Sequence, residues 1–211
     1  MDEQLRAELL RRVEKDQVAR KALDLDGMRE ADGENLPWLK GVVATHGWPG
    51  ASLVGSDGAH AAWLLAQHAD SDPAFQRQCL DLLTAAAEAG EATSQEHAYL
   101  TDRVLLAEGG QQEYGTQLTG RGGRWAPRNL RAPDGVDGRR AAAGLGAIAE
   151  YLARFTDPPQ PMLLQCAGCG GQVPFELPDD FSEPVTVTCP ECGRETTIYA
   201  SADQVPGVGR T

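Results

Sequence analysis

The sequence has no apolar run long enough to cross a membrane and no recognisable export signal. A membrane-spanning helix needs about 20 mostly apolar residues, and no stretch of the 211-residue chain approaches that length. Residues 1–4 are acidic and polar, whereas a secretory signal begins with a basic and then an apolar region. We therefore expect a cytoplasmic protein with no membrane partner.

Basic residues are scarce, above all in the last quarter of the chain. The net charge is −12, and from residue 161 onwards seven acidic residues stand against two arginines, a net charge of −5. Binding to the phosphate backbone depends on clustered Lys and Arg. We therefore expect no nucleic-acid partner.

Signatures of known catalytic mechanisms are missing as well. The glycine-rich stretch at 120–123 lacks the Lys-Ser/Thr that completes a phosphate-binding loop. No Gly-x-Ser-x-Gly elbow or Cys–His nucleophile pattern is present. The favoured interpretation is a module that binds a small molecule or a protein partner, with Trp48, Trp63, Tyr114 and Arg103 near its recognition surface.

Two Cys-x-x-Cys hooks near the C-terminus are the strongest positive feature. Nineteen residues separate the hooks, a spacing typical of structural zinc sites. Gly170 and Gly193 each follow a hook, where a residue with positive φ lets the backbone turn back toward the sulfurs. Thiols stay reduced in the cytoplasm, which favours a metal over disulfides. The predicted ligands of one structural Zn²⁺ are Cys166, Cys169, Cys189 and Cys192.

Hydrophobic periodicity predicts a mainly α fold: a helical bundle with a small β-hairpin, followed by a small all-β zinc ribbon. The helical domain covers 1–157, a proline linker 158–161, the ribbon 162–200 and a flexible tail 201–211. Cys79 is predicted to be a buried helix residue. The predicted elements of the first domain are helices near 2–23, 37–45, 59–69, 73–89, 93–108 and 136–155, a loop at 24–33 and a hairpin within 114–128.

Four sequence blocks in the first domain carry a family resemblance. They are His-Gly-Trp-Pro at 46–49, the stretch at 58–70 that contains Trp-Leu-Leu-Ala-Gln-His-Ala-Asp, Tyr-Leu-Thr-Asp-Arg at 99–103, and Tyr-Gly-Thr-Gln at 114–117. With these blocks, residues 1–157 resemble a bacterial, largely actinobacterial, domain family of unknown function. The resemblance implies a helical fold and brings no reaction with it. The tail separately resembles a zinc ribbon.

Histidines in this domain support an alternative function, that of a metal-dependent enzyme such as a hydrolase. His46, His68 and Asp70 would form a two-histidine, one-carboxylate set, the ligand types of a divalent metal site with open positions. The competing interpretation is that His68 is a hydrogen-bonded core residue and that His46 only ends its helix near the C-terminal carbonyls.

A polar cluster at the entrance to the hairpin is the other possible site. Arg103, Tyr114 and Gln117 are predicted to bind a ligand, with Arg103 clamping a carboxylate or phosphate. Equally, Asp102 and Arg103 could tie the hairpin to the helical bundle.

Overall fold

A computed structural model describes residues 1–121, 124–155, 162–175 and 184–198. The chain divides into two compact units, residues 1–156 and 157–211. The described residues form seven α-helices and three small antiparallel sheets, which confirms the predicted fold class. The predicted linker at 158–161 and the predicted tail at 201–211 lie outside the described residues. No helix in the described ranges is both long enough and apolar enough to span a membrane.

The first unit is a five-helix bundle to which a hairpin and two short helices are added. A short 3₁₀ turn, Pro133–Gly135, precedes the last two helices. The elements are α1 (Glu3–Lys21), α2 (Leu25–His46), α3 (Ala51–Gln67), α4 (Pro73–Glu88), α5 (Ser94–Ala107), β1 (Leu118–Arg121), β2 (Arg124–Pro127), α6 (Val136–Ala142) and α7 (Ile148–Ala153).

Helix α3 is the centre of the bundle, as its apolar sequence predicts, since it contacts α1, α2, α4 and α5. Its flanking helices contribute fully buried leucines such as Leu9, Leu39, Leu83 and Leu100. Cys79 is also fully buried, which confirms its predicted place in the core.

Sequence signals for helix ends hold for α4 and α5. The Asp72 carboxylate accepts a hydrogen bond from the Phe75 amide at 3.0 Å, and Pro73 begins α4. At the start of α5, the Thr93 hydroxyl accepts from the Glu96 amide, and the Glu96 carboxylate accepts from the Thr93 amide. The predicted capping box is therefore confirmed.

The predicted loop at 24–33 is wrong, because these residues form the first part of α2. Asp24 caps the helix by accepting a hydrogen bond from the Gly27 amide at 3.0 Å. Lys15 of α1 then pairs with both Glu30 and Glu34 of α2. Ion pairs with α1, rather than an apolar stripe, hold this polar segment in place. A prediction based on apolar periodicity therefore misses this part of the helix.

Two other boundaries differ from the prediction because of glycines. Helix α3 begins eight residues earlier than predicted and is kinked at Gly55, whose φ is +75°. The predicted helix 136–155 is broken into α6 and α7, with Gly144 at φ +71° between them. Glycine adopts this left-handed region without the steric penalty that other residues meet.

The second unit contains two β-hairpins of similar form. The strands are β3 (Met162–Gln165), β4 (Gln172–Phe175), β5 (Val185–Thr188) and β6 (Glu195–Ile198). β3 pairs with β4, and β5 with β6, both antiparallel. Each hairpin carries one of the Cys-x-x-Cys hooks between its strands.

Candidate functional site

Each cysteine hook is a tight turn closed by backbone hydrogen bonds. In the first, the Cys166 amide donates to the Gly171 carbonyl and the Gly170 amide donates to the Cys166 carbonyl, both at 2.8 Å. The second hook repeats the pattern, with the Gly193 amide donating to the Cys189 carbonyl at 2.9 Å. Gly170 and Gly193 have φ values of +78° and +72°, which confirms the predicted turn.

The four sulfurs converge on one point. The Sγ atoms of Cys166 and Cys192 are 3.6 Å apart, as are those of Cys169 and Cys189, and all four lie within 4.8 Å of one another. Four thiolates around a tetrahedral ion at about 2.3 Å would be separated by about 3.8 Å. All four cysteines are free of disulfides. The cluster therefore has the dimensions of a metal site.

Electrostatics in the cluster call for a cation. Amide groups of Cys169 and Gly168 lower the pKa of the Cys166 thiol to about 6. The Gly171 amide also favours a Cys169 thiolate, but the neighbouring Cys192 and Cys189 outweigh it and raise the Cys169 pKa to about 12. Four thiolates repel one another at this distance unless a positive charge lies among them, and a bound metal ion would supply that charge.

The structure places the three predicted metal ligands of the helical unit in different surroundings. His46 is exposed at the end of α2 and lines an open groove beside Trp48. His68 follows the last turn of α3 and faces α1, whereas Asp70 forms a two-pronged ion pair with Arg103. His46, His68 and Asp70 therefore do not form one group of ligand atoms.

His68 belongs instead to a group with Asp16 of α1 and Asp32 of α2, whose ligand atoms lie within 4.8 Å of one another. Asp16 is fully buried, and its Oδ2 lies 2.9 Å from Nδ1 of His68. The guanidinium of Arg20 donates to Asp16 at 2.9 Å and to Asp32 at 2.5 Å. The sequence carried one sign of this group: Asp16 continues the predicted apolar stripe of Leu5, Leu9 and Val13 at helical spacing.

The two aspartates of this group respond differently to their surroundings. Burial pushes the pKa of Asp16 upward, but contacts with His68, Gln17 and Arg20 outweigh burial, so the pKa lies below its ordinary value. For Asp32, burial is the stronger influence and raises the pKa above its ordinary value despite Arg20. The environment thus favours ionised Asp16 over ionised Asp32.

The predicted ligand-binding cluster is only partly assembled. Arg103 donates to both carboxylate oxygens of Asp70, at 2.8 and 2.7 Å, and to the side-chain oxygen of Gln117 at 3.4 Å. Tyr114 joins the region through its backbone, because its carbonyl accepts from Arg140. Arg103 and Gln117 are thus brought together, and Asp70 occupies the two-pronged face of the guanidinium.

Asp102 ties the loop before the hairpin to the bundle, one of the two interpretations that the sequence left open. The Asp102 carboxylate is fully buried. It accepts hydrogen bonds from the amides of Glu113, Tyr114 and Thr116 at 2.7, 3.0 and 2.8 Å. The Tyr151 hydroxyl adds a further bond to the Thr116 carbonyl at 2.9 Å.

An open groove of about 420 Å³ lies where the α2–α3 turn meets α4. Glu91 shapes one wall, since it accepts a hydrogen bond from the Ser52 amide at 2.7 Å. Trp63, predicted to lie near a recognition surface, is instead buried and donates to the Glu96 carbonyl at 2.9 Å. The main groove-lining side chains are His46, Trp48, Leu53, Leu82 and Glu91.

Comparison with protein families gives a match for the helical unit. The model of a family of unknown function, DUF6624, matches residues 3–164, and the match ends just before Cys166. Searches of curated proteins and of solved structures found no match. The predicted resemblance to a family of unknown function is therefore confirmed for the helical unit. Because the match covers more than half of the sequence, the chain belongs to the DUF6624 family.

Proposed function

We propose that this is a zinc-stabilised cytoplasmic binding module. Its four C-terminal cysteines hold one structural Zn²⁺, and its helical unit binds a small molecule or a protein partner. The observation that carries the zinc assignment is the separation of the sulfurs, 3.6 Å for two of the pairs. Four thiolates in tetrahedral arrangement select Zn²⁺ or iron–sulfur chemistry, and a single ion at this spacing favours Zn²⁺.

The proposed zinc has a structural role because the cysteines fill all four positions and leave none for water or substrate. Few apolar groups support the described part of this unit. Val173 is the one buried aliphatic side chain beside the cysteines in that part, and Leu164 and Val187 are partly buried against it. Metal binding of about 10–16 kcal/mol in comparable sites would supply the missing folding free energy.

Support for the binding role comes from the groove lined by His46, Trp48 and Glu91. It combines an aromatic ring and aliphatic side chains with two ionisable groups, the usual mixture in ligand sites. The acidic chain, at −12, favours a ligand or partner surface that is neutral or positively charged.

Metal analysis of the full chain tests the zinc assignment. We expect one zinc per chain after purification, lost in Cys192→Ser and retained in Cys79→Ser, which removes a buried thiol of the helical unit. Excess chelator should unfold the C-terminal unit while the helical circular dichroism signal stays nearly unchanged. Full zinc retention in Cys192→Ser, or iron in place of zinc, would refute the proposal.

A steric block tests the groove. Ala85 lines the groove and is exposed, so Ala85→Trp should fill the groove without removing a core contact. Ala107→Trp is the matched control, because Ala107 is exposed at the end of α5 and does not line the groove. A panel of small amphipathic molecules is screened for compounds that raise the melting temperature of the wild type. These compounds should also raise that of Ala107→Trp, but not that of Ala85→Trp. Hits that act equally on both variants would place binding elsewhere.

The alternative function, a metal-dependent enzyme, is supported by a specific observation. His68, one of its predicted ligands, lies against two aspartates. The other ligands of such a metal would be Asp16 and Asp32 rather than the predicted His46 and Asp70. An enzyme of this kind depends on whether that group binds metal.

A further inference from the structure

Three helices bring one ligand-type side chain each to a single point of the helical unit. Asp16 lies on α1, Asp32 on α2, and His68 caps the C-terminal end of α3. The helices are packed against one another, so the side chains are held by the rigid part of the fold. Two carboxylates and one imidazole are donors that divalent transition-metal ions accept.

The distance between His68 and Asp16 fits two ligands of one ion. Nδ1 lies 2.9 Å from Oδ2, yet the contact does not have hydrogen-bonding geometry, and the buried Nδ1 has no hydrogen-bond partner. Adjacent ligands at about 2.1 Å from an octahedral ion are separated by about 3.0 Å. A bound cation would give this buried nitrogen a partner.

Charge at this point favours a cation. The C-terminal end of α3, where His68 lies, carries the partial negative charge of its last carbonyls. Among the described residues, Arg20 is the one Lys or Arg that pairs with these aspartates, and it donates to Oδ1 of each. Gln17 donates to Oδ2 of Asp16 at 2.8 Å. Arg20 and Gln17 thus orient the carboxylates, as outer groups do around metal ligands.

We infer that Asp16, Asp32 and His68 form a second metal site, which binds a divalent transition-metal ion of the Mn²⁺, Fe²⁺ or Zn²⁺ class. Three protein ligands leave coordination positions open for water or a substrate oxygen, unlike the closed four-cysteine cluster. Mn²⁺ distinguishes the two sites, because it prefers oxygen and nitrogen donors while the thiolates select zinc.

The test is a Mn²⁺ titration of the whole chain carrying a single zinc per chain, so that excess zinc does not occupy the second site, followed by electron paramagnetic resonance of the free ion. We expect one Mn²⁺ per wild-type chain and binding at least about tenfold weaker in His68→Ala and Asp32→Asn. Asp32→Asn is the decisive variant if His68→Ala fails to fold, since the Asp32 side chain is partly exposed and should tolerate the change. Circular dichroism confirms that each variant is folded.

Matched controls separate this site from others. His60→Ala changes a half-exposed histidine on the same helix as His68, and Asp26→Asn changes an exposed aspartate on the same helix as Asp32. Both variants should bind Mn²⁺ like the wild type. Cys192→Ser should also bind Mn²⁺ normally, because it removes a ligand of the proposed zinc site only. Absence of Mn²⁺ binding to the wild type, or equal binding by folded Asp32→Asn, would overturn the inference.

Discussion

Replacing Asp102 with alanine should be among the most destabilising single changes in the helical unit. The carboxylate is fully buried and is the acceptor for three backbone amides of the loop at 113–116. The Asp102→Ala change leaves those amides without their acceptor and opens a small cavity. The loop carries the chain from the bundle into the hairpin, so its anchor also positions Gln117.

The magnitude follows from the hydrogen bonds. Each bond to a charged acceptor contributes about 1.5–3 kcal/mol, but three bonds to one group are not additive. The amides of Glu113 and Tyr114 are part-buried and can recover water, while that of Thr116 is buried and cannot. We expect a loss of about 3–5 kcal/mol, in line with removal of one partner from a buried charged contact. Asp102→Asn should lose less, because its side-chain oxygen still accepts.

Urea unfolding followed by tryptophan fluorescence is the suitable assay. All four tryptophans precede residue 157, so the signal reports the helical unit alone. With a slope of about 2 kcal/mol per molar urea, the midpoint should fall by about 2 M. Asp81→Ala, an exposed aspartate on α4, should change stability by less than about 0.5 kcal/mol. A loss below about 1 kcal/mol in Asp102→Ala would refute the anchoring role.

Three further predictions use the same unit. Thr93→Ala should lose about 1 kcal/mol in urea unfolding through loss of the capping box, whereas the exposed neighbour Ser94→Ala should be neutral. Leu83→Ala should lose about 2–5 kcal/mol in the same assay, because Leu83 is fully buried. Burial raises the pKa of Cys79 to about 12, so its thiol should resist thiol reagents at pH 8 until urea is added. The pKa of Cys79 is higher in the folded than in the unfolded protein, so the stabilising contribution of the protonated thiol is complete below about pH 9 and declines toward pH 12. Relative to Cys79→Ala, the free energy of unfolding should fall by at most about 1.4 kcal/mol per pH unit in that range.

Local signals in the sequence predicted the elements whose ends are set by neighbouring residues. Thr93 with Glu96, and Asp72 with Pro73, act within one helical turn, so the sequence alone contains both partners of each cap. The hooks around the cysteines are local for the same reason. The start of α2 was missed because its stabilising partners, such as Lys15 for Glu30, lie on another helix.

The group of Asp16, Asp32 and His68 could not be predicted from the sequence for the same reason. His68 was identified as a possible ligand from its own helix, but its partners lie on α1 and α2, and packing determines which of many acidic residues face it. Asp16 could have been recognised by its position on the apolar stripe of α1. Asp32 gave no such sign, because it lies in the segment predicted to be a loop.

The turn between α3 and α4 contributes His68 to the group with Asp16 and Asp32, and Asp70 to the ion pair with Arg103. His68 and Asp70 both lie in the connection between α3 and α4, where His68 faces Asp16 on α1 and Asp70 pairs with Arg103 on α5. Gln76 of α4 donates to the last carbonyls of α3 and to the Asp70 carboxylate. The turn is therefore held by three other helices. The proposed role of His68 as a metal ligand needs that degree of support, because a binding site must be held in its productive geometry by the surrounding residues. The sequence block that ends in Gln-His-Ala-Asp thus provides both the imidazole that faces Asp16 and the carboxylate that pairs with Arg103.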